Sequence, residues 1–196
     1  MPAKAMLNDD EKATLREKLK WLCEQSWVTN GYKKTSVKEI CTSAKIAIGT
    51  FYAMYPTKEQ LFFETVLDIQ QKLAQALLTT CRENPSKNGF AQALKDMVRS
   101  YAKNPFIYDL NKPDYVSFIQ KLSPDVSEKI QFDSITFFRK AIQIANLQLK
   151  IDENLAYASL GALLSTIFAK DGISMTHDYH KTLDFMVDCL LPNIFE

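Results

Sequence analysis

Glycine and cysteine are both scarce in this chain of 196 residues, which has five glycines and four cysteines. So few glycines, together with the shortage of β-branched runs, argue against a sheet-rich fold and favour helices. The cysteines show no CxxC spacing, and each lies in an apolar context where cysteine acts as a small hydrophobic side chain. We therefore expect neither a disulfide framework nor a zinc site.

The chain also lacks an excess of charge of either sign and a long apolar run. It carries 24 Lys and Arg against 23 Asp and Glu, so the net charge of +1 does not by itself indicate a polyanion binder. The longest membrane-like run, Ala156–Ala169, is too short to span a bilayer. The N-terminal residues, MPAKAMLNDDEK, lack the apolar core of a signal peptide. We expect a soluble cytoplasmic protein with no membrane partner.

What the sequence does contain is helical periodicity from near its start to its end. Apolar residues at three- and four-residue steps, with capping and breaking residues between them, predict eight helices. Their approximate ranges are 9–29, 36–44, 48–54, 58–83, 90–103, 124–148, 152–170 and 177–191. Gly31 is expected to end the first helix in a left-handed conformation, and Pro192 to end the last. Ser36 with Glu39 has the spacing of a capping box.

Two short helices joined by a tight turn lie between Ser36 and Tyr55, and a longer helix precedes them. This order is typical of a helix-turn-helix, in which the second short helix enters the major groove of DNA. A helix in that groove needs a bulky inner face and a slim outer face. The predicted inner face consists of Ile46, Phe51 and Tyr55. The predicted outer face consists of Ala47, Ile48, Thr50 and Ala53.

The segment GYKKTSVKEICTSAKIAIGTFYAMYPTKEQL, Gly31–Leu61, resembles the DNA-binding signature of the tetracycline-repressor-like (TetR) family of bacterial regulators. That signature runs Gly-aromatic-x-x-Thr-Ser/Thr-Val-x-x-Ile, then Ala-Gly-Val-Ser-x-Gly-x-Leu/Phe-Tyr-x-Tyr-Phe, then Lys-Glu-x-Leu. Two positions depart from it, since Lys45 stands at the turn glycine and Ala47 at the usual serine cap. Each departure costs about 1 kcal/mol, so we expect a looser or differently shaped turn.

The resemblance implies particular contacts with a double-stranded DNA operator. Thr35 and Ser36, at a helix N-terminus, are assigned to one phosphate, and Tyr52 and Lys58 to two others. Lys45 is expected to add a further phosphate contact. Ile48, Thr50 and Ala53 are expected to face the bases, and none has the cation that reads guanine bidentately. The expected DNA-binding residues are Thr35, Ser36, Lys45, Ala47, Ile48, Thr50, Tyr52 and Lys58.

Aromatic side chains are dense in the middle of the chain. Most are expected in the core, but bulky rings on short, broken helices also suit the wall of an apolar pocket. In similar proteins the C-terminal domain binds a small effector, so the resemblance implies such a site here. The candidate lining residues are Tyr101, Tyr108, Tyr115, Phe118, Phe138 and Phe168.

The last two predicted helices are apolar on two sides. Such a helix is either central in a domain or shared with a partner, and terminal helices are seldom central. We therefore predict a homodimer built through a four-helix bundle, and the family resemblance agrees. The predicted interface residues are Ala158, Gly161, Ala162, Ser165, Met186 and Leu190.

Taken together, these patterns predict an all-α protein with two domains. Residues 1–56 form a three-helix helix-turn-helix DNA-binding domain, and residues 57–196 form a helical bundle for effector binding and dimerisation. The expected function is that of a ligand-responsive transcriptional regulator, a repressor, on a palindromic operator. Its release by a small, largely apolar effector is expected to run through the helix that joins the two domains.

Two alternatives stay open. One is an all-α small-molecule-binding or scaffold protein with impaired operator binding, for which Lys45 and Ala47 are the evidence. The other is an all-α enzyme, because scattered Ser, Asp and Glu could assemble in three dimensions. However, the sequence shows no nucleophile–base pair and no glycine-rich phosphate loop, so we expect no enzyme, no catalytic residues and no cofactor. His177 and His180 lack an evident third ligand, and no metal is expected.

Overall fold

The computed structural model describes residues 8–103, 112–130 and 133–196. These residues form an all-α fold with no strand, apart from one isolated antiparallel bridge between Leu149 and Phe195. The fold class predicted from the sequence is therefore confirmed. The helices, in chain order, are α1 (Asp9–Lys34), α2 (Val37–Ala44), α3 (Ile48–Met54), α4 (Lys58–Glu83), α5 (Lys87–Tyr101), α6 (Pro113–Ile119), α7 (Pro124–Glu128), α8 (Ser134–Ile144), α9 (Glu153–Ser165), a 3-10 turn (Thr166–Ala169), α10 (Lys170–Ser174) and α11 (Tyr179–Ile194).

The bounds of α3 and α4 agree with the sequence prediction, whereas several later bounds do not. The single helix predicted at 124–148 is broken into α7 and α8, because Asp133 accepts a hydrogen bond from the Thr136 amide at 3.0 Å and starts a new helix. The predicted stop at Pro192 is wrong, since α11 includes that residue and reaches Ile194. Pro192 lies in the last turn of α11, where it removes only one amide donor, and the helix continues for two more residues.

The chain divides into two compact units, each discontinuous in sequence. The first unit comprises Met1–Asp68 and Leu110–Ile130, and the second comprises Ile69–Asp109 and Gln131–Glu196. This division falls within α4 and assigns α6 and α7 to the first unit. The functional boundary at residues 56 and 57 stays a prediction.

The core of the first unit is built around aromatic rings. Trp27 of α1 packs against Phe62 of α4 and Phe118 of α6, with ring centroids 4.4 Å and 5.1 Å apart. Tyr32 and Tyr115 lie against the Phe118 ring as well. Phe118 is completely buried, and Tyr115 is buried beside it. Both residues were predicted to line an effector pocket, and both lie in the core of the first unit.

The core of the second unit is mainly aliphatic and is contributed by α4, α5, α8, α9 and α11. Phe195 is completely buried and meets the edge of the Phe90 ring. Of the other pocket candidates, Phe138 is fully buried in this core, Tyr101 is partly buried against it, and Phe168 is about half exposed. Tyr108 lies outside the described residues. No described helix is both long enough and apolar enough to cross a membrane.

Candidate nucleic-acid interface

Lys45 has a left-handed conformation in the turn between α2 and α3, and the turn is closed, not looser as had been expected from the sequence. The φ and ψ of Lys45 are 61° and 43°, and its amide donates to the Thr42 carbonyl at 3.1 Å. The Ile46 amide then donates to the Cys41 carbonyl at 3.0 Å, which closes the turn. The lysine therefore occupies the glycine position without loss of these bonds, at a cost of about 1 kcal/mol.

A lysine of α1 helps to hold this turn. The ammonium of Lys18 donates to the Ala44 carbonyl at 2.9 Å, at the C-terminus of α2. A cation at that end interacts favourably with the helix dipole and satisfies a carbonyl that lacks a helical partner. Sequence reasoning missed this contact, because Lys18 and Ala44 are 26 residues apart and no local pattern joins them.

The two faces of α3 agree with the sequence prediction except at Ile46 and Thr50, which are both half-buried. Phe51 and Tyr55 are buried, with 0% and 1% of their surface exposed. Ile48 and Tyr52 are 44% and 50% exposed. The exposed outer face also includes Ala47, Gly49 and Ala53, with Thr50 half-buried beside them. Ala47 occupies the N-cap position of α3 with no side-chain capping bond.

The inner face of α3 is anchored by a charged pair beneath it. The hydroxyl of Tyr55 donates to a carboxylate oxygen of Glu64 at 2.8 Å, and Arg16 donates to the same carboxylate at 3.1 Å. The Arg16 guanidinium also lies 5.2 Å from the centre of the Tyr55 ring. Burial and the bond to Glu64 raise the pKa of Tyr55, so the hydroxyl stays a donor at neutral pH. These contacts join α1, α3 and α4.

The N-terminus of α2 is only partly as predicted. Ser36 has the extended conformation of an N-cap, but its hydroxyl makes no capping bond, so the capping box with Glu39 is not formed. Both side chains are accessible to water, and the bond would gain little over hydration. Thr35 is 3% exposed and donates its hydroxyl hydrogen to the Gly31 carbonyl at 2.7 Å. The Thr35 amide donates to the same carbonyl at 3.1 Å, so both Thr35 donors are engaged and the structure offers neither to a phosphate.

The ammonium of Lys58 is turned toward the end of α1. It donates to the Tyr32 carbonyl and lies 4.2 Å from the centre of the Tyr32 ring and 5.2 Å from that of Phe62. Partial burial lowers the pKa of this lysine. The phosphate contact predicted for Lys58 requires the ammonium to leave this position, whereas the exposed hydroxyl of Tyr52 requires no such change.

Asp114 of α6 binds the end of α1. One carboxylate oxygen accepts from the Lys33 amide at 3.0 Å, and the other accepts from the Tyr32 amide. The Tyr32 hydroxyl donates to the carboxylate of Glu59, and the Lys121 ammonium lies 3.9 Å from that Glu59 carboxylate. Burial would raise the pKa of Glu59, but the hydrogen bond from Tyr32 and the nearby lysines leave the pKa below its ordinary value. Sequence reasoning missed Asp114, because its partners lie more than eighty residues away.

Residues 24–65 match the model that describes the tetR family of bacterial regulatory proteins. The chain carries the N-terminal domain of the TetR family. This match covers the end of α1, all of α2 and α3, and the start of α4, which are the elements that form the candidate interface. No curated protein matches the sequence.

Solved structures share the TetR-family fold over almost the whole chain. A regulator assigned to the family from Mesorhizobium loti is 18% identical, with a TM-score of 0.63 over 94% of this chain and 98% of that one. SmeT, the repressor of the Stenotrophomonas maltophilia multidrug efflux pump SmeDEF, is 15% identical, with a TM-score of 0.63 over 92% and 90%. FadR from Bacillus subtilis, solved with stearoyl-CoA, is 12% identical, with a TM-score of 0.59 over 91% and 98%. At sequence identities this low, the similarity to these structures establishes the fold alone.

Proposed function

We propose that this TetR-family protein is a ligand-responsive, DNA-binding transcriptional repressor that acts as a homodimer on a palindromic operator. The observation that carries the proposal is the outer face of α3, which is small, uncharged and exposed within a segment that matches the family. A face of this shape can approach base edges in the major groove. Because Lys45 completes its turn, the turn supplies no support for impaired operator binding.

Contacts with phosphates are expected from both α2 and α3, and contacts with bases from α3. Ser36 and the first-turn amides of α2 suit one phosphate, since the N-terminus of a helix attracts anions. Tyr52 suits a second, because half of its surface is exposed. Ile48 is the exposed aliphatic side chain of α3, and the group that such a side chain recognises in the major groove is the thymine methyl. We therefore expect A·T pairs opposite Ile48.

The homodimer is supported by an apolar surface on α9 and α11. Leu155 and Phe185 are 56% and 69% exposed, and Phe168 just after α9 is about half exposed. Small residues lie on the exposed side of α9, and a Cβ built at Gly161 meets no atom within 4 Å. A second copy would remove this surface from water. Met186 and Leu190 are partly buried against the core of their own unit, so we expect Ala158, Ala162 and Ser165 to lie nearer the partner.

A small, largely apolar effector is supported by the composition of the second unit and by one relative. FadR from Bacillus subtilis was solved with stearoyl-CoA, which has a long apolar chain. Tyr101 is the candidate that combines partial burial with a polar group, and burial raises the pKa of its hydroxyl. Such a hydroxyl could orient an apolar ligand in the bundle. Phe138 and Phe168 stay candidates for the wall.

The proposal is tested by selecting binding sites for the full chain from randomised duplex DNA. The expected result is an enriched palindrome with A·T pairs in each half-site, and loss of preference at one position in Ile48→Ala. Tyr52→Phe is expected to weaken binding to the selected and to random duplexes alike, with an unchanged salt slope, because the lost hydroxyl carries no charge. No enrichment above the random library would overturn the proposal.

Lys58→Ala completes the experiment, because the ammonium of Lys58 is bound to the Tyr32 carbonyl in the structure. If Lys58 binds phosphate in the complex, the salt slope of Lys58→Ala falls by about 1, unlike that of Tyr52→Phe. A slope equal to that of the wild type would assign Lys58 to the end of α1 and leave the other phosphate contacts in place.

A further inference from the structure

The corner between α1 and α2, residues 31–36, is closed by a residue from a distant part of the chain. α1 turns at Gly31, whose φ and ψ are 78° and 169°. The two amides that follow, those of Tyr32 and Lys33, both donate to the carboxylate of Asp114. A carboxylate that accepts two amide hydrogens makes charge-assisted bonds, which are stronger than bonds between neutral groups.

Gly31 and Asp114 fit each other closely. A Cβ placed on Gly31 would lie 2.9 Å from one carboxylate oxygen and 3.2 Å from the carboxylate carbon. The positive φ of Gly31 is also a conformation that other residues adopt only at a cost. The corner therefore has room for the carboxylate only because residue 31 has no side chain.

The corner leads directly to the N-terminus of α2. The Gly31 carbonyl accepts from the Thr35 amide at 3.1 Å and from the Thr35 hydroxyl at 2.7 Å. Ser36 follows as the N-cap, and its carbonyl accepts from the Ile40 amide at 3.1 Å. Hydrogen bonds thus hold residues 32 and 33 to Asp114 and residue 35 to Gly31, and Ser36, the next residue in the chain, is the N-cap of α2.

We propose that Asp114 is a positioning residue of the operator-binding site, which sets the phosphate-binding N-terminus of α2 by holding residues 31–33. The inference rests on the function proposed above. It extends the site beyond the segment that matches the family, which ends at residue 65. It also assigns an operator-related task to α6, whose sequence was predicted to line an effector pocket.

The docking of α6 does not depend on Asp114 alone. Phe118, one turn further along α6, is completely buried against Trp27 and Phe62. Lys121 lies over the Tyr32 ring, 5.6 Å from its centre. Removing the Asp114 carboxylate therefore leaves α6 in place while it frees two amides at the corner. This separates positioning from folding in an experiment.

The test uses the full-length Asp114→Ala variant, the duplex that the wild type selects and a random duplex. Affinity is measured over a series of salt concentrations, and amide hydrogen exchange at residues 31–37 is measured without DNA. We expect faster exchange at Tyr32 and Lys33, and an affinity lower by about tenfold for the selected and random duplexes alike. The lost phosphate contact is made by neutral groups, so the salt slope should not fall. Asp114→Asn, which keeps one acceptor oxygen in place, should fall between the two proteins.

Asp125→Ala is the matched control, since Asp125 is an exposed aspartate in the first turn of α7 in the same unit. It should leave affinity, slope and exchange unchanged. Faster exchange in Asp114→Ala with wild-type affinity would overturn the inference, because Asp114 would then only close the end of α1. If the wild type selects no duplex, the proposed function itself fails, and the exchange data still report whether the corner depends on Asp114.

Discussion

Two sets of charged side chains, one around α1 and α2 in the first unit and one between α5 and α11 in the second, make different kinds of contact. In the first set, charged groups contact backbone and buried rings: Asp114 binds two amides, Lys18 binds a carbonyl, and Lys58 lies over Tyr32. In the second set, Arg99–Asp184 and Lys95–Asp188 join α5 to α11 as side-chain pairs at 2.6 Å. Bonds to backbone fix a local geometry, whereas partly exposed pairs contribute little to stability. The comparison indicates that the first set fixes the backbone around the candidate interface, whereas the pairs between α5 and α11 add little to the apolar packing of those helices.

The largest effect is expected when the aromatic core of the first unit is opened. Phe118→Ala should lower the free energy of unfolding by about 3–5 kcal/mol, because a fully buried ring is lost and a cavity remains. Urea denaturation of the full chain measures the change. Val116→Ala on the exposed side of α6 is the control and should stay within about 0.5 kcal/mol of the wild type. A small change in Phe118→Ala would mean that α6 does not belong to this core.

The next effect concerns the close fit at the corner. Gly31→Ala should destabilise the protein by about 1–3 kcal/mol, since it combines a positive φ with a contact against Asp114. Gly172→Ala offers a matched comparison, because Gly172 lies in α10 with nothing within 4 Å of its added Cβ. That variant should be neutral or slightly stabilising. Thermal unfolding of both variants in the same buffer measures these changes. Equal shifts in melting temperature would contradict the close fit described for Gly31.

A smaller effect is expected from Glu59 in acid. Its pKa in the folded protein lies below the ordinary value, so its contribution to stability is present above about pH 4.3 and is lost as the pH falls through the lowered pKa. Glu59→Gln should therefore flatten this part of the stability profile, with an effect on the order of 1 kcal/mol. Glu39→Gln, on the exposed side of α2, provides the control. If the free energy of unfolding of Glu59→Gln falls with decreasing pH as it does in the wild type, the Tyr32–Glu59 bond contributes nothing to stability.

The smallest effect is expected at the surface of the second unit. Lys95→Ala removes the pair with Asp188, whose side chain is 61% exposed, and should change the free energy of unfolding by about 0.2–1 kcal/mol. Urea denaturation at low and high salt measures it, and the difference should shrink as salt screens the pair. A loss larger than that in Gly31→Ala would reverse the comparison between the two units.

The features that could be predicted from the sequence are those with local causes. The bounds of α3 follow from a turn before it and Pro56 after it, and the exposure of Ile48 follows from helical periodicity. The break between α7 and α8 also had a local cause, the cap at Asp133, which the prediction overlooked. By contrast, the bonds from Lys18 and Asp114 join residues 26 and 82 apart. Side-chain types alone do not say which distant backbone groups they meet.

The position of Asp114 in the chain also bears on how the protein is made. During synthesis α1 to α3 emerge before α6, and the acceptor for the Tyr32 amide follows only 82 residues later. Until then the last turn of α1 stays hydrated, and Trp27 and Phe62 lack the ring of Phe118. Closing this long loop carries an entropic cost that grows slowly with its length. The nascent helix-turn-helix is therefore incomplete on the ribosome, and a fragment that ends near residue 68 would expose the same apolar surface to aggregation.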